Sequence, residues 1–207
     1  CLRRYMLKPA QILFTLLIVT ISASPAIAEL NAQDQAEIDR VEAYLDTIKT
    51  MKADFLQIDS AGGIAEGKVY MRKPGRMRFE YKPPAQILVV ADGLWLVFHD
   101  KELKETTRLP LSATPVNVLL KENADLSDDV TVTKVENDAN TIRLTIVDTD
   151  NPDEGNIVLI FSDNPLQLRQ WLVTDAQGQV TSISLGKVEK NIKLKPELFT
   201  FFDSQYE

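Results

Sequence analysis

Hydrophobic positions change period once along this chain, and the change divides it into two regimes. Ile38, Val41, Leu45 and Ile48 recur at the spacing of one helix face, with Tyr44 beside them. Asn31 precedes this run with Asp34 three residues on, a capping-box variant, so a helix should begin there. After Met51 the period falls to two. Strands are predicted at residues 53–58, 64–72, 76–81, 87–90, 94–99, 104–109, 130–135, 141–147, 156–161, 167–174 and 180–188. Gly62-Gly63, Asp92-Gly93, Asn164-Pro165 and Gln177-Gly178 mark turns between neighbours. Short strands joined by tight turns predict an antiparallel sheet, sandwich or barrel, read here as one domain.

The stretch 67–81 shows the period most clearly. Pro74-Gly75 supplies a turn, since Pro fixes φ and Gly tolerates positive φ. Val69 and Met71 share a face with Lys73, while Lys68 and Arg72 point away. Beyond the turn Met77, Phe79 and Tyr81 fall on one face and Arg76, Arg78 and Glu80 on the other. One side of this hairpin is apolar and adaptable, ending in a cation, and the other is wet. Ile142, Leu144 and Ile146 alternate with polar residues in the same way.

Two features break the run of half-buried strands. Thr114 caps and Pro115 opens a short helix with an apolar edge of Val116, Leu119 and Leu120. An acidic loop over residues 123–129 follows, with room for one more helical turn. Residues 87–90, 94–98 and 157–161 are apolar at consecutive positions, so these strands must be covered on both faces. What covers the second face stays open between sheet curvature, loops and a partner surface.

Composition places the domain. Arg3, Arg4 and Lys8, an apolar run over residues 12–21, and Ala26-Ile27-Ala28 read as a cleavable signal peptide over residues 1–28. The apolar run is too short to span a bilayer of ~30 Å. Met6 serves equally well as a start, since nothing before it is needed for this pattern. Residues 29–207 are then the mature domain, outside the cytoplasm. Removing the three leader cations from 23 leaves 20 basic residues against 30 acidic, a net charge of −10. That balance argues against nucleic acid and anionic headgroups as general partners. The single cysteine, Cys1, lies in the leader, so the mature domain has no disulfide or thiol chemistry.

Candidate chemistry is sparse. His99 is the only histidine, and it reads as a strand-end residue rather than a catalyst. No nucleophile elbow, zinc-protease helix or phosphate-cradling loop is present. The acidic stretches 125–129 and 148–154 lack calcium-loop spacing and read as solvated turns. No catalytic residue, metal ligand or cofactor is expected. The remaining signal is an excess of apolar strand face, suited to saturated acyl chains.

Taken in order, Arg72-Lys73-Pro74, Phe79 to Tyr81, Pro84-Ala85-Gln86-Ile87, Ala91-Asp92-Gly93-Leu94-Trp95, Thr114-Pro115 with Leu119-Leu120, and Phe199-Thr200-Phe201 resemble the LolA family of periplasmic outer-membrane lipoprotein carriers. The resemblance runs from about Gln33 to Phe201. It implies an unclosed antiparallel β-barrel of about eleven strands with a helical lid. It implies a non-enzymatic periplasmic chaperone carrying acylated lipoproteins from an inner-membrane ABC-type release complex to the outer membrane. A monomer is expected, and an outer-membrane receptor is left open. The cavity would be lined by Val69, Met71, Met77, Phe79, Tyr81, Trp95, Ile142, Leu144 and Ile146. Ile38, Val41 and Leu45, with Val116, Leu119 and Leu120, would form the lid. The family's latch is an arginine just before the motif proline. Here that position is Lys73, a point charge rather than a fork of donors, with Arg72 the next candidate. A second class of function stays open: a lipid- or lipoprotein-sensing binding module of the same fold. A hydrolase using the apolar cleft lacks a nucleophile constellation.

Overall fold

The computed structural model describes residues 30–202. The expected leader, residues 1–28, lies outside them. Helix α1 (Ala32–Asp46) begins where its cap predicts. The Asn31 side chain accepts from the backbone N–H groups of Gln33 and Asp34, and Asp34 Oδ2 accepts from Asn31 N–H in return. Its last turn carries no basic residue of its own.

Eleven strands follow. They are β1 (Thr50–Asp59), β2 (Ile64–Arg72), β3 (Arg76–Tyr81), β4 (Ile87–Asp92), β5 (Trp95–Asp100) and β6 (Glu105–Pro110), then β7 (Val130–Asp138), β8 (Thr141–Asp148), β9 (Gly155–Ser162), β10 (Gln167–Asp175) and β11 (Val180–Lys190). All belong to one antiparallel sheet in the order β6-β5-β4-β3-β2-β1-β11-β10-β9-β8-β7. Two meanders, one on each side, meet where β1 pairs with β11. β6 and β7 are the two edges and do not pair with each other, so the barrel stays unclosed.

Ring contacts show how strongly this sheet curves. Phe79 on β3 and Trp171 on β10 are four strand steps apart, about 19 Å along a flat sheet. Their ring centroids are 6.4 Å apart. Phe55 on β1 bridges the curve, with T-shaped contacts to Phe79 at 5.1 Å and Tyr81 at 5.0 Å. Gly67 sits between Phe55 and Tyr81 in the register. A Cβ there would stand 2.7 Å from the Phe55 ring and 2.1 Å from the Glu80 carbonyl oxygen, so only glycine fits.

The inner face of this half barrel is the core. Met51, Ala53 and Phe55 continue through Val69 and Met71, Met77 and Phe79, and Val89 and Ala91 on one side. Ile183, Trp171, Leu159, Leu144 and Val132 continue it on the other. One cluster joins this face to Ile38, Val41 and Leu45 of α1 and to Leu111, Val118, Leu119, Leu120 and Leu126 of the segment between β6 and β7. That segment holds no α-helix. Residues Leu111–Ala113 and Pro115–Leu119 are 3-10 turns, and the acidic loop after them is irregular. The apolar edge expected at 115–120 therefore exists, but on a tighter coil.

The second face of β3 to β6 is covered by the chain's own end. The 3-10 turn Pro196–Phe199 packs on β3 and β4, and the Arg78 side chain donates to the Leu198 carbonyl at 3.2 Å. Phe199, Leu88, Val90 and Val97 are all buried. His99 lies in this layer too, its Nδ1 3.0 Å from Thr106 Oγ1 and its ring 5.4 Å from Phe201. The lone histidine is a packed strand residue.

Candidate functional site

The candidate site is the inner face together with the two segments that close it. Eight of the nine cavity residues expected from the sequence lie on that face. Val69, Met71, Met77, Phe79, Ile142, Leu144 and Ile146 are buried within the cluster. Tyr81 is half-buried at its margin, and its hydroxyl donates to Gln57 Oε1 at 2.6 Å. Burial pushes this phenol up to about 12. Trp95 is the exception. In the register it shares its face with Val97 and His99, on the outer side, and it remains 45% exposed. The Asp92-Gly93 turn sets that parity, with Asp92 Oδ1 accepting from the N–H groups of Leu94 and Trp95. The tryptophan that lines the inner face is Trp171, with Phe55 opposite. Phe55 continues the alternation of Met51 and Ala53 in β1, which gives its face, but its meeting with Phe79, and that of Trp171, needs the curvature of the sheet.

Two segments close the face. Ile38, Val41 and Leu45 turn one side of α1 inward, and Leu119 and Leu120 are buried with them, while Val116 is half-buried at the margin. Carboxylates bind the two segments into one piece. Asp46 Oδ1 accepts from Ala124 N–H, and Glu42 Oε1 accepts from Leu126 N–H, both at 2.7 Å. Tyr44 extends the hold sideways. Its hydroxyl accepts from Leu168 N–H at 3.1 Å, and its ring carries the Lys190 ammonium 4.7 Å from its centroid.

The β2–β3 turn fastens both pieces. Lys73 is only 8% exposed, and its ammonium donates to the Leu45 carbonyl at 3.1 Å. Two residues on, Gly75 N–H donates to the Leu120 carbonyl at 2.8 Å. Gly75 has φ of +72°, and a Cβ there would stand 2.8 Å from the Gly93 Cα. Burial lowers the Lys73 pKa; Asp46 opposes that shift and Lys49 adds to it. Lys73 supplies the cation that the last turn of α1 lacks, at the negative end of the helix dipole. Arg72 faces outward from the same strand and takes no part in this contact.

Solvent reaches the margins of this closure. A cleft of about 280 Å³ lies between Thr114, Asn117, Val118 and Lys121 on one wall and Ile146, Asp148 and Ile157 on the other. Lys121 pairs with Asp129 at its rim. A wider cleft of about 630 Å³ separates α1 from residues 123–132. Among the described residues no group of three or more His, Cys, Asp or Glu could hold a metal ion, and no helix is long and apolar enough to cross a membrane.

Relatives with this pattern are known. A protein of Rickettsia prowazekii without an assigned role is 29% identical over 82% of this chain and 78% of its own length. The outer-membrane lipoprotein carrier protein of Chromohalobacter salexigens is 31% identical, covering 83% of this chain and 86% of the relative. The crystal structure of a DUF1329 family protein from Desulfovibrio piger shares the fold at 11% identity, with a TM-score of 0.51 over 84% of this chain and 98% of that one. The profile of the family described as outer membrane lipoprotein carrier protein LolA matches residues 46–202, from the end of α1 through all eleven strands. The chain belongs to the LolA family of outer membrane lipoprotein carrier proteins.

Proposed function

We propose that this protein is a periplasmic carrier that holds the acyl chains of lipoproteins against its inner face and delivers them to the outer membrane. The observation that supports this reading is the inner face itself: a buried apolar surface continuous across nine strands and closed by polypeptide that apolar packing and a few hydrogen bonds hold in place. Each CH₂ removed from water contributes about 0.8 kcal/mol, so an acylated anchor needs such a surface to cross an aqueous space. Exposed without cargo, the same surface would promote aggregation. A lid of the protein's own leucines and valines resolves that conflict.

Acyl chains would displace Leu45, Leu119 and their neighbours from the inner face and occupy the same ground. Lys73 couples the two states. In the closed state its ammonium is desolvated and bonded to Leu45. With the lid displaced it returns to water or meets the polar part of the cargo. The reaction is binding and release, and no group on the inner face is asked to do covalent chemistry. The donor would be an inner-membrane ABC-type release complex, and the mature unit residues 29–207 after loss of the leader.

The test is direct. Protein recovered from periplasm, without detergent, should carry acylated lipoproteins visible by mass spectrometry. Loaded with radiolabelled lipoprotein, it should deliver it to acceptor membranes. Recovery of other lipids but no lipoprotein would favour a sensing module instead.

A further inference from the structure

Charge is sorted by end in this sheet. The mature chain is acidic, yet the rim where α1 crosses the mouth is basic over β1 to β4. Register places Thr50, Arg72, Arg76 and Asp92 in one row across those four strands. Their neighbours Met51, Met71, Met77 and Ala91 are buried in the inner face, so the row lies on the outer one. Arg72 and Arg76 stand directly opposite each other, an arrangement that repels. Arg72 has no ion pair among the described residues, and Arg76 donates to the Pro74 carbonyl at 3.3 Å. Asp92 pairs with neither arginine; its Oδ1 accepts from the Leu94 and Trp95 N–H groups.

The chain's end adds to this row. Thr50 Oγ1 donates to the Ile192 carbonyl at 2.6 Å, and Arg78 donates to the Leu198 carbonyl. Residues 192–198 therefore cross the outer face from β1 to β3. Over that stretch Ile192 and Leu194 are half-buried while Lys193 and Lys195 are exposed, against one acid, Glu197. The β4–β5 turn, which meets the β2–β3 turn where Gly93 packs on Gly75, exposes Leu94 at 76% and Trp95 at 45%. The acidic stretch 148–154 lies at the opposite end of the sheet, where Asp148 pairs with Val130 and Gly155 with Asp175.

We propose that this rim is a membrane-docking surface. Arg72, Arg76, Lys193 and Lys195 lie against anionic lipid headgroups, and Leu94 and Trp95 enter the interfacial layer. β1 to β4 are interior strands with partners on both sides, so the row offers no unpaired backbone to an extended protein segment. Neither cleft described above reaches it. It offers long-chain cations around an apolar tip with an indole, which suits a fluid charged surface. The net charge opposes anionic headgroups as general partners, and the sorting by end restricts contact to one orientation. That orientation turns the mouth and the Lys73 turn toward the bilayer. The inference deepens the carrier reading and rests on it for its purpose: acyl chains leaving the inner face would pass into the membrane that holds the rim.

The test mixes the empty mature chain with phosphatidylcholine vesicles, with and without about one third phosphatidylglycerol. The protein should float with the anionic vesicles only, and added salt should release it. Trp95 emission should shift to the blue on binding, and Trp95→Phe should abolish the shift, since Trp171 is already buried. Lys193→Ser and Lys195→Ser should each weaken binding about fivefold. Leu94→Ser should weaken it without changing its salt dependence. All three positions are exposed, so these variants keep the fold. Equal binding to both kinds of vesicle or to neither, or wild-type binding by both lysine variants, overturns the inference. Self-association in sedimentation that the lysine variants abolish, without vesicle binding, overturns it in favour of a second copy. Binding of polyglutamate without vesicle binding overturns it in favour of an acidic protein partner. No cargo is present, so this test and the acyl-chain competition fail independently.

Discussion

The Lys73 ammonium donates to the carbonyl of Leu45, in the last turn of α1, at 3.1 Å. A strand turn thus holds a helix end across the mouth of the half barrel. Replacing Lys73 with leucine removes the bond from the closed state and adds apolar surface to the filled one. Lys73→Leu should therefore take up a fluorescent fatty-acid probe more readily when empty and deliver less lipoprotein to acceptor membranes. Wild-type uptake and delivery would move the latch elsewhere on the β2–β3 turn.

The same lysine gives the closure a pH dependence of definite sign. Burial holds its pKa in the folded state below the ordinary 10.5. Between those two values the unfolded or lid-open chain binds the proton that the closed state has lost, so the closed state gains stability as pH rises. Below the folded pKa the desolvation cost is fully present. The difference in unfolding free energy between wild type and Lys73→Met, followed by denaturant titration, should shift toward wild type as pH rises toward 10.5. A pH-independent difference would mean that the amine is already hydrated. Tyr81 acts in the opposite sense at higher pH. With its pKa raised to about 12, it disfavours the folded state as pH climbs from 10, so these titrations are best made on Tyr81→Phe.

Leu119 separates lid from core. It is buried, and Leu119→Ala should cost about 2–5 kcal/mol in denaturant unfolding. As a lid residue it should also raise dye binding by the empty protein. Loss of stability without new dye binding would make it a core residue only.

Glu42 and Asp46 join the two halves of the lid. Removing either carboxylate should cost about 1.5–3 kcal/mol and free the loop from the helix. Glu42→Ala should speed hydrogen exchange at Leu126 N–H, and Asp46→Ala at Ala124 N–H, while amides in β1 and β11 keep their protection. Equal acceleration throughout the sheet would show global destabilisation instead.

Much of this architecture was legible in the residues because its signals are local. Asn31 and Asp34 announced α1, and period-two alternation, with consecutive apolar runs between turn signals at 87–90, 94–98 and 157–161, located the eleven strands, with only their ends displaced. The inner face followed wherever alternation was clean, as at Val69, Met71, Met77 and Phe79. Trp95 escaped because the strand after Asp92-Gly93 is apolar at consecutive positions, so its parity is set by the Asp92 turn and not by hydropathy. Trp171 and Phe55 were missed as site residues because their meeting with Phe79 depends on curvature, which no strand carries alone. The cover over Leu88, Val90 and Val97 was equally out of reach. It comes from Phe199, about a hundred residues away, and is a long-range contact with no periodic signature.

The central claim is that the inner face takes acyl chains, and competition for a bound fluorescent fatty acid tests it most directly. Two peptides of identical sequence are compared, one acylated and one not. Displacement by the acylated peptide alone, lost when Phe79 and Trp171 are both changed to glutamate in a protein that still folds, is the result this account predicts. Equal displacement by both peptides, or by neither, would contradict it.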